Sequence, residues 1–140
     1  MLIRLLYVSR AVGPQTTTVT ATILTAARAR NRELGVTGVL CQGQGLYLQV
    51  LEGERRDVNA LYTRIVTDRR HRDVELLRLE ETDARRFADW SMALVELSDG
   101  DSMVQLQRPG FDPYAARGAF VMTMVDELVR DGARIEPPDL

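Results

Sequence analysis

The chain has 140 residues, of which 45% are hydrophobic and 27% charged, with a formal net charge of −2. A chain of this size supports one domain core and leaves little for a second, and its composition excludes the disordered, fibrous and membrane classes. The near balance of charge gives no general attraction to nucleic acid or anionic lipid, so neither is expected as a direct partner.

All eighteen basic residues are arginines; bidentate phosphate contacts or codon bias would both produce that, and it carries no functional weight. The apolar runs are short and Arg4 interrupts the first, which leaves neither a signal peptide nor a spanning helix and makes a cytoplasmic location the expectation. Cys41, the single cysteine, has no disulfide partner and no neighbouring Cys or His at metal-ligand spacing, so no redox or metal role is expected.

Leu2 to Ser9 reads as a strand, because β-branched, aromatic and leucine residues run without a breaker until Gly13-Pro14. On a two-residue period Ile3, Leu5, Tyr7 and Ser9 share one face and Leu2, Arg4, Leu6 and Val8 the other, so both faces need cover. Thr16-Thr17-Thr18 offers capping hydroxyls, and Val19, Ile23, Ala26, Ala27 and Leu34 recur at helical spacing, which predicts a helix from about Thr18 to Leu34 stopped by Gly35. Residues 36–42 and 46–52 form a hairpin around Gly43-Gln44-Gly45, with Tyr47, Gln49 and Leu51 on one face of its second strand. A second helix follows from about Arg55 to Asp68 with Val58, Leu61, Tyr62 and Ile65 inward, then strands near Val74 to Glu80 and Ser91 to Leu97.

That order, βαββαββ, predicts an α+β, ferredoxin-like mixed sheet with two helices on one face. The other face carries Leu6, Val8, Leu46, Leu48 and Val50, too apolar to remain in water. An amphipathic tail from about Tyr114 to Val129, with Ala116, Phe120, Val121, Met124, Val125 and Leu128 on one side, supplies the cover; a partner subunit in a homo-oligomer is the alternative. Residues 1–97 are therefore expected to form the ligand-binding domain and 98–140 a C-terminal helical extension on the sheet, with a frayed end at Glu136-Pro137-Pro138-Asp139.

Polar side chains on apolar stripes mark the candidate site, since burying an amide or phenol without a partner costs about 1–3 kcal/mol. Asn31 follows Ile23 and Ala27 at four-residue steps and suits either a helix cap or a ligand contact. Gln49 carries donors and an acceptor and suits either a core amide bonded to backbone or recognition of a heteroaromatic edge. Tyr7, two residues before Ser9, places a phenol within reach of Gln49 if the first and third strands are adjacent, although packing alone also explains it. Asp68, at a helix end where the dipole disfavours a carboxylate, requires a donor or cation nearby; Arg69, Arg70 and His71 follow, as a phosphate-binding mouth or as a solvated charge run.

Taken together, LLYVSRA at 5–11, ILTAARARN at 23–31, GVTGVL at 35–40, GLYLQVLEG at 45–53, DRRH at 68–71 and RRFADWSM at 85–92 resemble the BLUF family, in family order over roughly residues 1–97. The chain is close in length to short family members without an attached effector. The resemblance implies a blue-light photoreceptor, not an enzyme, that holds FAD non-covalently between two helices with the isoalloxazine ring against the sheet. Asn31 would bond the pyrimidine edge of the ring, and Gln49 would bridge its N5/O4 region to Tyr7. Ile23 and Ala27 would line the ring, and Arg30, Asp68, Arg70 and His71 match positions near the flavin or its side chain.

By the same resemblance, light moves an electron and proton reversibly from Tyr7, Gln49 changes orientation or tautomer, and the fifth strand shifts through Trp90 and Met92, which alternation puts on one strand face; Ser9 is counted with them among the photoactive residues. The signal would pass to an unidentified downstream protein. Ala27 and Arg30 stand where some relatives carry a hydroxyl and a histidine. Two other functions fit the fold: an acylphosphatase-like enzyme, although Ser9-Arg10-Ala11-Val12-Gly13-Pro14 lacks a glycine-rich anion loop, and a light-independent interaction module using the apolar sheet face.

Overall fold

A computed structural model of the chain describes residues 1–97 and 112–131; the end predicted to fray and residues 98–111 of the expected extension lie outside them. The elements run β1 (Leu2–Ala11), α1 (Thr17–Leu34), β2 (Thr37–Gly43), β3 (Leu46–Glu54), α2 (Arg55–Val66), β4 (His71–Thr82), β5 (Ala93–Glu96) and α3 (Gly118–Asp131). One sheet of order β4-β1-β3-β2-β5 results, with β5 parallel to β2 and the other neighbours antiparallel. This is the expected ferredoxin-like arrangement with a strand added beside β2.

β1 and β3 lie at the centre and are buried on both faces, which is why their sequences are nearly continuous apolar runs. Alternation divides their side chains between two cores. Ile3, Leu5, Tyr7 and Leu51 pack beneath α1 and α2 with Leu24, Val58 and Leu61, while Leu6, Val8, Leu48 and Val50 pack on the other side against Val121, Val125 and Leu128 of α3. The second core shows a helix of the same chain covering the apolar sheet face.

Thr16 Oγ1 caps α1 by accepting from Val19 N at 3.2 Å, and Gly35 ends it at φ +66°, in the left-handed region open to glycine. Its buried line is Thr20, Leu24 and Asn31, whereas Val19 and Ala26 are exposed. The predicted stripe is rotated because Thr20, a polar residue, faces the core and donates to the buried Gln42 Oε1 at 2.9 Å. α2 ends at Val66, two residues before Asp68, and β4 begins earlier than predicted, at His71, since pairing with β1 accommodates its charged first residues.

α3 begins at Gly118 rather than near Tyr114; residues 113–115 form a turn, and the Tyr114 hydroxyl donates to Asp73 O at 2.9 Å. Phe120 is half exposed, and Met122 takes the expected core place. Gly118 lies so close to β4 that a Cβ there would stand 1.9 Å from Leu77 O.

Candidate functional site

β1 and β3 are paired so that Tyr7 stands opposite Gln49. The Tyr7 hydroxyl donates to Gln49 Oε1 at 2.5 Å, and Gln49 Nε2 donates to Met92 Sδ at 3.4 Å. Because a thioether can only accept, this arrangement fixes the amide: nitrogen toward sulfur, oxygen toward phenol. Burial pushes the Tyr7 phenol well above the usual tyrosine range, with Tyr62, Asp68 and Tyr47 adding to the effect, so it is a proton donor throughout the physiological range.

This pair forms the floor of a narrow cleft of about 80 Å³ between α1 and α2, concave and lined mostly by apolar side chains with a few convergent polar groups, as small-molecule sites are. Ile23, Ala26 and Ala27 line one wall and Leu61 and Ile65 the other, with Leu40 and Tyr47 below. Arg30, Asn31, Asp68, Arg70 and His71 also line it. The sequence-predicted residues Tyr7, Ile23, Ala27, Arg30, Asn31, Gln49, Asp68, Arg70 and His71 thus converge on one cavity.

Asn31 is not a cap: its Nδ2 donates to Ser91 O at 2.6 Å, while its second amide proton and Oδ1 take no partner among the described residues. Asp68 lies in the turn after α2 and has the cation its position requires. Arg70 Nε donates to both carboxylate oxygens at 3.0 and 3.1 Å, and the Arg70 side chain holds the Asp68 carboxyl down at about 2. His71 Nε2 lies 2.6 Å from Ile65 O, a carbonyl that can only accept, so that nitrogen carries a proton and, in the neutral ring, Nδ1 accepts from Ser9 Oγ at 2.8 Å. Ser9 therefore serves the cleft through His71 and does not line it.

Trp90 and Met92 lie on opposite sides of the sheet, not on one strand face. The expected alternation does not apply, because β5 begins only at Ala93 and the chain from 83 to 92 is irregular. Met92 is buried in the core beneath α1 and α2, with its sulfur at Gln49, whereas Trp90 packs on the α3 side and stacks on Phe87 with centroids 5.8 Å apart. Sequence reasoning missed Arg28, whose Nε donates to Met92 O at 3.0 Å. Its one signal was its place a turn before Asn31.

The residues fit a flavin. Aliphatic side chains from two helices make a slot for a flat ring, two amides with donors and acceptors offer partners for a heteroaromatic edge, and arginines stand at the margin. A family model described as sensors of blue light using FAD matches residues 2–93.

The chain belongs to the BLUF family.

This BLUF domain is a blue-light sensor that uses FAD, and of the functions open from the residues alone that reading stands. It is 39% identical over 86 residues to photoactivated adenylate cyclase subunit alpha of Euglena gracilis, a match covering 61% of this chain and 8% of that protein. The BLUF chain thus spans under a tenth of that relative's length. Among solved structures it is similar to BlsA in its ground state, with TM-score 0.81 and 26% identity over 100% of this chain and 92% of that one. It is also similar to dark-state BlrB, with TM-score 0.66 and 37% identity over 68% of this chain and 72% of that one. Among the described residues no helix is long and apolar enough to cross a membrane, and no group of three or more His, Cys, Asp or Glu residues is placed to hold a metal.

Proposed function

We propose that residues 1–97 are the flavin-binding unit and that Tyr7 and Gln49 form its light switch, read out by Met92 and carried to a separate effector protein. The observation that supports this most is the chain of contacts from the Tyr7 hydroxyl to the Gln49 amide to Met92 sulfur at the floor of the cleft. Bound FAD supplies the absorption of blue light and a transient acceptor for an electron and a proton. Tyr7 gives up and regains the phenolic proton, Gln49 holds the proton relay in one orientation, and Asn31 presents its free amide groups to the ring edge. Ile23, Ala27, Leu61 and Ile65 exclude water from the ring, and Arg30, Arg70 and His71 hold its polar side chain.

Rotation of the amide or a change of tautomer removes the Nε2 donor from Met92 Sδ. Met92 stands immediately before β5, and Trp90 lies against the α3 side of the sheet. A disturbance at Gln49 thereby reaches the opposite face, where α3 is available to an effector; the photoactivated cyclase relatives illustrate one class of effector.

Absorption spectra in the dark and after blue illumination test the switch. Unsubstituted protein is expected to be yellow and to shift reversibly to longer wavelength. Gln49→Leu and Tyr7→Phe are expected to keep the flavin and lose the shift; a normal shift in either variant removes that residue from the switch.

A further inference from the structure

We infer that Glu52 is a positioning residue for the light response: from the far side of the sheet it holds the chain at Arg86 and Phe87, and so sets Met92 against the Gln49 amide.

Glu52 lies on β3 three residues after Gln49, hence on the opposite face, and is fully buried. Its Oε2 accepts from Arg4 Nε at 2.7 Å and from Arg86 N at 2.8 Å, and its Oε1 accepts from Phe87 N at 2.7 Å. Arg4 extends the hold, donating to Ala84 O at 3.0 Å and to Glu80 Oε1 at 2.5 Å. A buried ion pair of this kind is a poor source of net stability, because desolvation offsets its attraction. It is, however, a strong way to fix backbone that no helix or strand ladder holds, and the chain between β4 and β5 is such a backbone.

The far end of this segment is held from the cleft side. Asn31 donates to Ser91 O at 2.6 Å, Arg28 to Met92 O at 3.0 Å, and Gly38 N to Trp90 O at 3.0 Å. Between the two ends Phe87 stacks on Trp90. With Glu52 bonded at 86 and 87, the few residues to Met92 have little freedom, and Met92 Sδ stays at 3.4 Å from Gln49 Nε2. Only a carboxylate serves here: all three groups facing it are donors, and a glutamine would turn its own NH₂ toward at least one of them.

The inference rests on Gln49 being the switch, and the test separates the two. In the FAD-loaded chain, Glu52→Gln and the double variant R4M/E52M, which leaves no unpaired buried arginine, are compared with Val58→Ala, a core truncation on α2 that makes no hydrogen bond to the segment. Both Glu52 variants are expected to bind flavin and keep the light-induced shift. Their return to the dark spectrum should slow by about threefold or more, the arrangement restored having lost a weak hydrogen bond. Emission from Trp90, the single tryptophan, should move, and the Arg86 and Phe87 amides should exchange faster, while Val58→Ala leaves recovery unchanged. Unaltered recovery and emission in folded Glu52 variants would overturn the inference, as would equal slowing in Val58→Ala. If neither Glu52 variant folds, rapid exchange at Arg86 and Phe87 in the unsubstituted dark protein overturns it and slow exchange sustains it. If the unsubstituted protein shows no light-induced shift, the switch reading is what fails, and Trp90 emission and amide exchange still judge the hold.

Discussion

Tyr7 and Asp68 are displaced from their ordinary acidities in opposite directions, and each displacement makes a prediction. Burial raises the Tyr7 phenol above its usual value of 10.0, so the stability contributed by the neutral phenol is present below about pH 10 and is lost only as pH rises beyond it. The amplitude of the light-induced shift is expected to be flat between about pH 6 and 9; a titration of that amplitude with a midpoint inside the window contradicts a buried phenol as donor. Asp68 behaves in the opposite sense. The Arg70 side chain lowers its carboxyl from 3.8 to about 2, so its contribution is complete above about pH 4 and disappears as pH falls toward 2. The pair is 45% and 30% exposed, and solvent screening limits it to about 1 kcal/mol or less. Urea unfolding of Asp68→Asn should show a deficit at pH 6 that vanishes near pH 2.

Gly118 shows how an element is seated. Its α-carbon approaches β4 so closely that a methyl group there would meet Leu77 O at 1.9 Å, and helix and strand cannot both stay where they are. Gly118→Ala is expected to destabilise the domain by about 1–3 kcal/mol through overpacking, read as a lower urea midpoint with the flavin spectrum retained. Nothing in the sequence around Gly118 announced this contact, because it depends on where another element passes. The strands were more legible. A two-residue period assigns Tyr7 and Gln49 to one face of β1 and β3 and Leu6, Val8, Leu48 and Val50 to the other without knowledge of the fold, and burial follows it. Three kinds of feature were hidden. The inward side of α1 turned on Thr20, whose hydroxyl is satisfied by Gln42 from β2; the opposed placement of Trp90 and Met92 arises in backbone that has no period to read; and the partners of Glu52 are 34, 35 and 48 residues away in the chain. Side chains whose roles are local could be inferred, whereas those that join distant segments required the pairing itself.

The described residues form two cores sharing one sheet, and the cleft opens into the core beneath α1 and α2. A ligand in that slot binds the folded state and not the unfolded chain, so it must stabilise the domain by mass action, by about 2.7 kcal/mol at a hundredfold excess over the dissociation constant. Calorimetry with and without added FAD should show the midpoint rising with flavin concentration; an unchanged midpoint in excess flavin means that the folded chain does not bind it preferentially. The same shared sheet couples assembly to photochemistry. Tyr7 is flanked by Leu6 and Val8, and Gln49 by Leu48 and Val50, all of which belong to the core packed against α3. A slip of either strand by one residue would exchange the two sets and present an aliphatic side chain where the phenol or the amide belongs. Molecules trapped in the wrong alignment would therefore be blind rather than dim, and the fraction of a refolded sample that responds to a flash becomes an optical census of correctly aligned chains.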